Sequence, residues 1–163
     1  MTGTIISYDP KYKQAFYEIT MAWLAKDFTV EPQHTDMLLN PERVLLEQGG
    51  DVFFALEENR AVGTVAIKSH GNGVYELTKL GVDPAAKGGG HGRKLCERVI
   101  EFFLEKKGNR LFLESHSILT AAIALYKKLG FKVATNPNGG EYKCTDCYME
   151  WHGDIDTEGQ QRA

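Results

Sequence analysis

Val82-Asp83-Pro84-Ala85-Ala86-Lys87-Gly88-Gly89-Gly90-His91-Gly92-Arg93-Lys94-Leu95 is the stretch on which the fold turns. Five of the chain's 17 glycines fall between Gly81 and Gly92. The run follows an extended, β-branched segment and opens a segment of helical periodicity. Glycine carries no Cβ, so neighbouring N–H groups can converge on one point. The first turn of a helix adds unpaired N–H donors and a partial positive charge. A strand, a glycine turn and a helix start together make a cradle for phosphate. Lys87, Arg93, Lys94 and Arg98 are expected to add full charges at the same end. A Walker A loop would need Gly-Lys-Ser/Thr, and Gly92-Arg93-Lys94 has no hydroxyl for magnesium. A dinucleotide fingerprint starting at Gly90-His91-Gly92 has Leu95 where its third glycine belongs, although Glu114 sits roughly where a ribose-binding acid would. A plain flexible glycine turn is the remaining alternative.

Upstream, Thr4–Tyr8 reads as a strand, and Asp9-Pro10 opens a helix running to about residue 26. Pro32 starts a second helical region, broken at Asn40-Pro41 and stopped at Gly49-Gly50. Asp51–Glu57, Ala61–Ser69 and Val74–Val82 form a three-strand meander, with Phe53 and Phe54 on opposite faces. Downstream, the helix Gly92–Lys107 carries a buried stripe of Leu95, Val99, Phe102 and Phe103. A strand at Arg110–Glu114, a helix at Ser117–Leu129 and strands at Phe131–Thr135 and Glu141–Trp151 follow. The order implies an α/β (mixed α+β) fold, with helices flanking one mixed sheet.

The 163 residues fit one domain, here residues 1–151, with a polar tail over 152–163. Hydrophobic content of 42% with 25% charged residues excludes wholesale disorder. A formal net charge of -3 argues against a nucleic-acid grip. No run approaches the ~20 apolar residues of a membrane span, and the first ten residues lack the features of a signal peptide. No membrane role is therefore expected, and the cytoplasm is the expected location. Three cysteines imply no disulfide framework. Cys144 and Cys147 form a lone C-x-x-C without a second ligand pair, so no metal is expected.

Four landmarks in order resemble one family. Tyr75-Glu76-Leu77-Thr78-Lys79-Leu80-Gly81-Val82-Asp83-Pro84 is similar to the strand before the cofactor loop in GNAT-superfamily N-acetyltransferases. Lys87-Gly88-Gly89-Gly90-His91-Gly92 resembles their Q/R-x-x-G-x-G/A signature, with lysine at the Gln/Arg position. Ala122-Ile123-Ala124-Leu125-Tyr126-Lys127-Lys128-Leu129-Gly130-Phe131 resembles their A-i-x-L-Y-x-x-x-G-F helix end, and Asp146-Cys147-Tyr148-Met149-Glu150 their closing strand. The matched stretch is about residues 51–151. Residues 1–48 match only in outline.

The resemblance implies a GNAT-like fold, a mostly antiparallel mixed sheet of about seven strands. It implies acetyl-CoA as co-substrate and direct transfer of acetyl to a primary amine, on a small molecule or a peptide, in a ternary complex. The alternative is a non-catalytic acyl-CoA-binding module of the same fold. Pantetheine would lie along Leu80 and Val82, with the Val82 amide facing the oxyanion. The pyrophosphate would sit on Lys87, Gly88, Gly89, Gly90, His91 and Gly92 with Arg93, where His91 serves through its backbone N–H. Glu76 is either the general base or a strand residue salt-bridged with Lys79. Tyr126 is either the acid for the leaving thiolate or a core tyrosine. The family's Asn position holds Leu119, so His116 or Ser117 is expected to take over its cofactor bond. Trp23, Phe28, Glu31 and Asp36 are candidates for lining the acceptor side. Family members are often homodimers through their last strands, but no dimer signature is legible in Glu141–Trp151.

Overall fold

A computed structural model describes residues 4–27, 30–137 and 147–153. Strand β1 (Thr4–Ile6) leads into a short 3-10 turn, Pro10–Tyr12, capped by the Asp9 carboxylate on the Lys11 N–H. Helix α1 (Lys13–Asp27) follows, then α2 (Pro32–Leu39) and a π-helical turn, Glu42–Leu46. Proline begins α2 where a missing N–H costs nothing.

The meander is β2 (Asp51–Glu57), β3 (Arg60–Gly71) and β4 (Val74–Val82). Glu58 and Asn59 both have positive φ in the tight turn between β2 and β3, the backbone hand that suits strand twist. Then come α3 (His91–Glu105), β5 (Arg110–Ser115), α4 (Thr120–Lys128), β6 (Phe131–Val133) and β7 (Cys147–Trp151). The seven strands form one sheet in the order β1-β2-β3-β4-β5-β7-β6. Every pairing is antiparallel except β4 with β5. This is the sheet flanked by helices that the element order implies, and the mostly antiparallel, seven-stranded sheet that the family resemblance implies.

The alternation of the strands separates two cores. Phe53, Val65, Ile67, Leu77, Leu111 and Met149 join Leu95, Val99 and Phe103 of α3 on one face. Phe54, Val52 and Ala66 join Phe16 of α1 and Leu38 of α2 on the other. Each buried Phe or Leu removes enough apolar area to contribute about 1.5–3 kcal/mol. Helix α1 approaches β4 closely at Gly81, where an added Cβ would stand 2.8 Å from Trp23 Nε1.

Several boundaries differ from the sequence expectation. β1 ends at Ile6 and β6 at Val133. α4 begins at Thr120 rather than Ser117, because His116 to Leu119 form a separate turn closed by the Leu119 N–H on the His116 carbonyl at 2.9 Å. Residues 141–146 of the expected last strand and 154–163 of the expected tail lie outside the described residues, as does Cys144. Among the described residues, no helix is long and apolar enough to cross a membrane.

Candidate active site

Strands β4 and β5 pair over only three residues, Val74, Tyr75 and Glu76 with Arg110, Leu111 and Phe112. Beyond Glu76 they part. The register of β4 against β3 shifts in the same region, between the Ala66–Thr78 and Thr64–Gly81 pairs, and Lys79 there has φ 58°. That is a bulge, and a bulge bends its strand. β5 meanwhile continues against β7 from Phe112 to Ser115.

The parting frees backbone groups on one edge of β4. The Asp83 N–H bonds the Val62 carbonyl at 2.7 Å, and Gly63 stands opposite Val82. In an antiparallel ladder, hydrogen-bonded and non-bonded pairs alternate. Val82 therefore turns its N–H and C=O away from β3, towards the gap left by β5.

The loop after β4 ends in a helix start with open donors. Asp83 caps the short turn Pro84–Ala86 by accepting the Ala85 N–H at 3.0 Å. Gly88 has φ 94° and Gly90 φ 78°, left-handed values that favour glycine. Gly90 is the N-cap of α3 and offers no side-chain acceptor. The first helical bond is that of the Lys94 N–H to the Gly90 carbonyl, at 3.1 Å. The amides of the preceding first-turn residues have no partner further back in the helix. This arrangement suits a phosphate.

The gap and the loop share one cavity of 580 Å³. Leu80, Val82, Lys87, Gly88, Gly90, His91, Gly92 and Tyr126 all line it. Gly89, Arg93 and Glu76 do not. Arg93 lies along α3, its Nε 3.0 Å from Glu97 Oε2. Arg98 is not at the loop end, contrary to the sequence expectation. It stacks over Phe53 at 4.7 Å and pairs with Glu101 and Glu105, further along the helix.

Glu76 is 1% exposed and its Oε1 lies 2.9 Å from His70 Nε2, whose ring stands against Phe112. It occupies the last paired position before the gap. Glu114, further along β5, lines the cavity itself. Tyr126 is buried, its ring edge-on to Phe131. Burial, and secondarily the nearby Cys96, push its hydroxyl pKa well above the ordinary tyrosine value. It therefore stays protonated and remains a donor.

At the mouth of α4, Leu119 is the N-cap and lines the cavity without a side-chain cap bond. His116 lines it too, while its Nδ1 accepts the Ile118 N–H at 3.2 Å. Ser117 is exposed and off the cavity. Of the acceptor-side candidates, Trp23 lines the cavity. Glu31 does not line it, and Asp36 is exposed and paired with Arg43 and Asn40. Phe28 lies outside the described residues. Sequence reasoning missed Thr78, Lys79, His34 and, as a site acid, Glu114, all on the cavity wall. Period-two alternation from Glu76 points to Thr78, and the same alternation along β5 points to Glu114.

The comparison that decides the family is a match to the acetyltransferase (GNAT) family profile over residues 14–131. The chain belongs to the GNAT acetyltransferase family. Among curated GNAT relatives, rat N-acetylaspartate synthetase is 30% identical over 100 residues, 61% of this chain and 33% of that protein. The N-alpha-acetyltransferase RimI of Mycobacterium tuberculosis is 40% identical over 58 residues, 36% of this chain and 35% of that protein. The chain thus spans about a third of the length of these curated relatives. A GNAT-family acetyltransferase of Staphylococcus aureus shares the fold, with a TM-score of 0.83 at 21% identity over 92% of this chain and 98% of that one. So does the PaiA N-acetyltransferase of Thermoplasma acidophilum in complex with coenzyme A, with a TM-score of 0.71 at 16% identity over 93% and 99%.

The two loop glycines of the GNAT motif differ in what they tolerate. Gly90→Ala forces a side chain into the left-handed region and is expected to cost about 1–2 kcal/mol. At Gly92 the nearest atoms to an added Cβ are at 3.6 and 4.0 Å, so Gly92→Ala is expected to leave stability unchanged or raise it by about 0.5–1 kcal/mol. Denaturant midpoints of the two variants check this.

Proposed function

We propose that this chain is an acetyl-CoA-dependent N-acetyltransferase acting on a primary amine by direct attack in a ternary complex. The observation that carries the reading is the gap between β4 and β5 opening straight onto the glycine loop. One end offers unpaired strand amides to a pantetheine arm, and the other offers helix-start amides to a diphosphate. The relatives named above, an N-acetylaspartate synthetase and an N-alpha-acetyltransferase among them, support transfer to an amine.

In the proposed reaction the amine nitrogen attacks the thioester carbonyl, the C–N bond forms and the C–S bond breaks. An alkyl ammonium, with a pKa of about 10.4, has no lone pair and must first lose a proton. Glu76 takes that proton through water, being buried beside the point where the strands part. Negative charge then develops on the carbonyl oxygen, and the Val82 amide, directed into the gap, is placed to meet it. The departing thiolate receives a proton from Tyr126. Leu80 and Val82 flank the arm. Lys87, Gly88, Gly90, His91 and Gly92 hold the diphosphate mainly through backbone donors, while Gly89 and Arg93 lie off the cavity wall. The lining of the cavity by Glu114 favours a second reading, in which Glu114 rather than Glu76 is the base. The acceptor, a small-molecule amine or a peptide, enters beside Trp23 of α1 and His34 of α2, which line the same cavity. We take the protein to act as one domain over residues 1–151, in the cytoplasm.

Acetyl-CoA at ~100 times its Kd should stabilise the protein by about 2.7 kcal/mol, whereas NAD should leave the melting temperature unmoved; the reverse pattern would sink the reading. Tyr126→Phe should lower kcat about 10²-fold with little change in acetyl-CoA affinity, and unchanged turnover would remove Tyr126 from the acid role. The rise of kcat/KM with pH reports deprotonation of the base. Glu76→Gln should abolish that acid limb. A limb kept in Glu76→Gln and lost in Glu114→Gln would transfer the role to Glu114.

A further inference from the structure

The tip of the β2–β3 hairpin grips the phosphate loop at both ends. At the loop's entrance, Arg60 Nη1 lies 3.6 Å from Asp83 Oδ2, and the other oxygen of that carboxylate accepts the Ala85 N–H. At its exit, Glu57 Oε2 lies 2.6 Å from His91 Nε2. The two contacts differ in burial. The Arg60 side chain is exposed and that of Asp83 partly so, and such a pair contributes little. The His91 side chain is 1% exposed, against 38% for Glu57. The second ring nitrogen of His91 is buried with no hydrogen-bond partner among the described residues. The only polar tie of the ring among these residues is therefore the one to Glu57.

The ring also lies against the loop it follows. A Cβ added at Gly89 would stand 3.1 Å from His91 Nε2 and 3.3 Å from its Cδ2. Glycine at 89 leaves room for the imidazole, and the imidazole in turn lies beneath the segment between the left-handed residues Gly88 and Gly90. An unsupported run of three glycines samples many backbone states, and ordering it on binding weakens affinity.

Resting on the proposed function, we propose that His91, held by Glu57, is a positioning residue that presets the loop for the diphosphate of coenzyme A. His91 then acts through its side chain as well as through its backbone N–H. Its effect is confined to ligands that carry the diphosphate. A role in general stability would instead weaken every ligand alike.

The test compares coenzyme A binding by calorimetry with initial rates on acetyl-CoA and on S-acetylpantetheine, which lacks the diphosphate. His91→Phe keeps a ring and removes the tie; Glu57→Ala removes it from the hairpin side. Each should weaken coenzyme A binding and raise the KM for acetyl-CoA roughly tenfold, the scale of one charge-assisted hydrogen bond. S-acetylpantetheine should lose far less. The two changes combined should cost little more than either alone, because they break the same contact. Glu57→Gln keeps an acceptor oxygen and should retain most of the affinity. Equal losses for both thioesters, additive losses, or unchanged coenzyme A affinity in folded variants would overturn the inference. Should His91→Phe fail to fold, Glu57→Ala at the half-exposed hairpin end supplies the same comparison. If the unsubstituted protein did not bind coenzyme A, the proposed function would fall and this inference with it.

Discussion

Between Leu77 and Val82, strand β4 has a neighbouring strand on one edge only. Its other neighbour, β5, pairs with it only up to Glu76 and then continues with β7 alone, on its far edge. Unpaired backbone groups at the centre of a sheet are costly unless something else satisfies them. The bulge at Lys79 bends β4 at that place, and the wall of the cavity is built from the consequences. The loop after β4, the start of α3 and the mouth of α4 all face the same opening. Without the parting of the strands the glycine turn would be a phosphate cradle with nothing leading to it.

The opening also organises the charges. A carboxylate buried at the apex, Glu76, is paired with His70, and a second, Glu114, lies on the cavity wall. Tyr126 lines the same cavity as Glu114, and burial keeps its hydroxyl protonated. A potential base and a potential acid are thereby held apart by their surroundings, which is how one site runs proton transfers in both directions. The basic charge at the loop is smaller than the sequence suggests, since Arg98 and Arg93 are drawn along α3 to glutamates. Backbone amides carry a correspondingly larger share.

Much of this is legible in the residues themselves. The Glu58-Asn59 turn, the alternation that sends Phe53 and Phe54 to opposite faces, and the strand-to-glycine-to-helix passage are local signals, and each appears where the residues put it. What is not legible depends on distant partners. Nothing local marks Lys79 for a positive φ; the bulge comes from the mismatch between the two halves of the β3–β4 ladder. Ser117 resembles an N-cap, yet the true cap is Leu119, which has no side-chain bond to offer. Arg98 belongs to the loop by spacing alone, but Phe53 and two glutamates claim it. The tie between Glu57 and His91 joins residues 34 positions apart, and no pattern within either segment announces it.

The divided core has a consequence for how this protein can change. The sheet separates a layer built with α3 from a layer built with α1 and α2. The glycine loop belongs structurally to the first, and Trp23 and His34 belong to the second. Side chains more than 7–10 Å apart with no shared partner usually act independently. Substitutions in α1 and α2 that leave Trp23 against Gly81 can therefore vary the second layer while the glycine loop, packed with α3, keeps its shape. One sheet thus carries two layers that can be varied largely apart, joined where Trp23 meets Gly81.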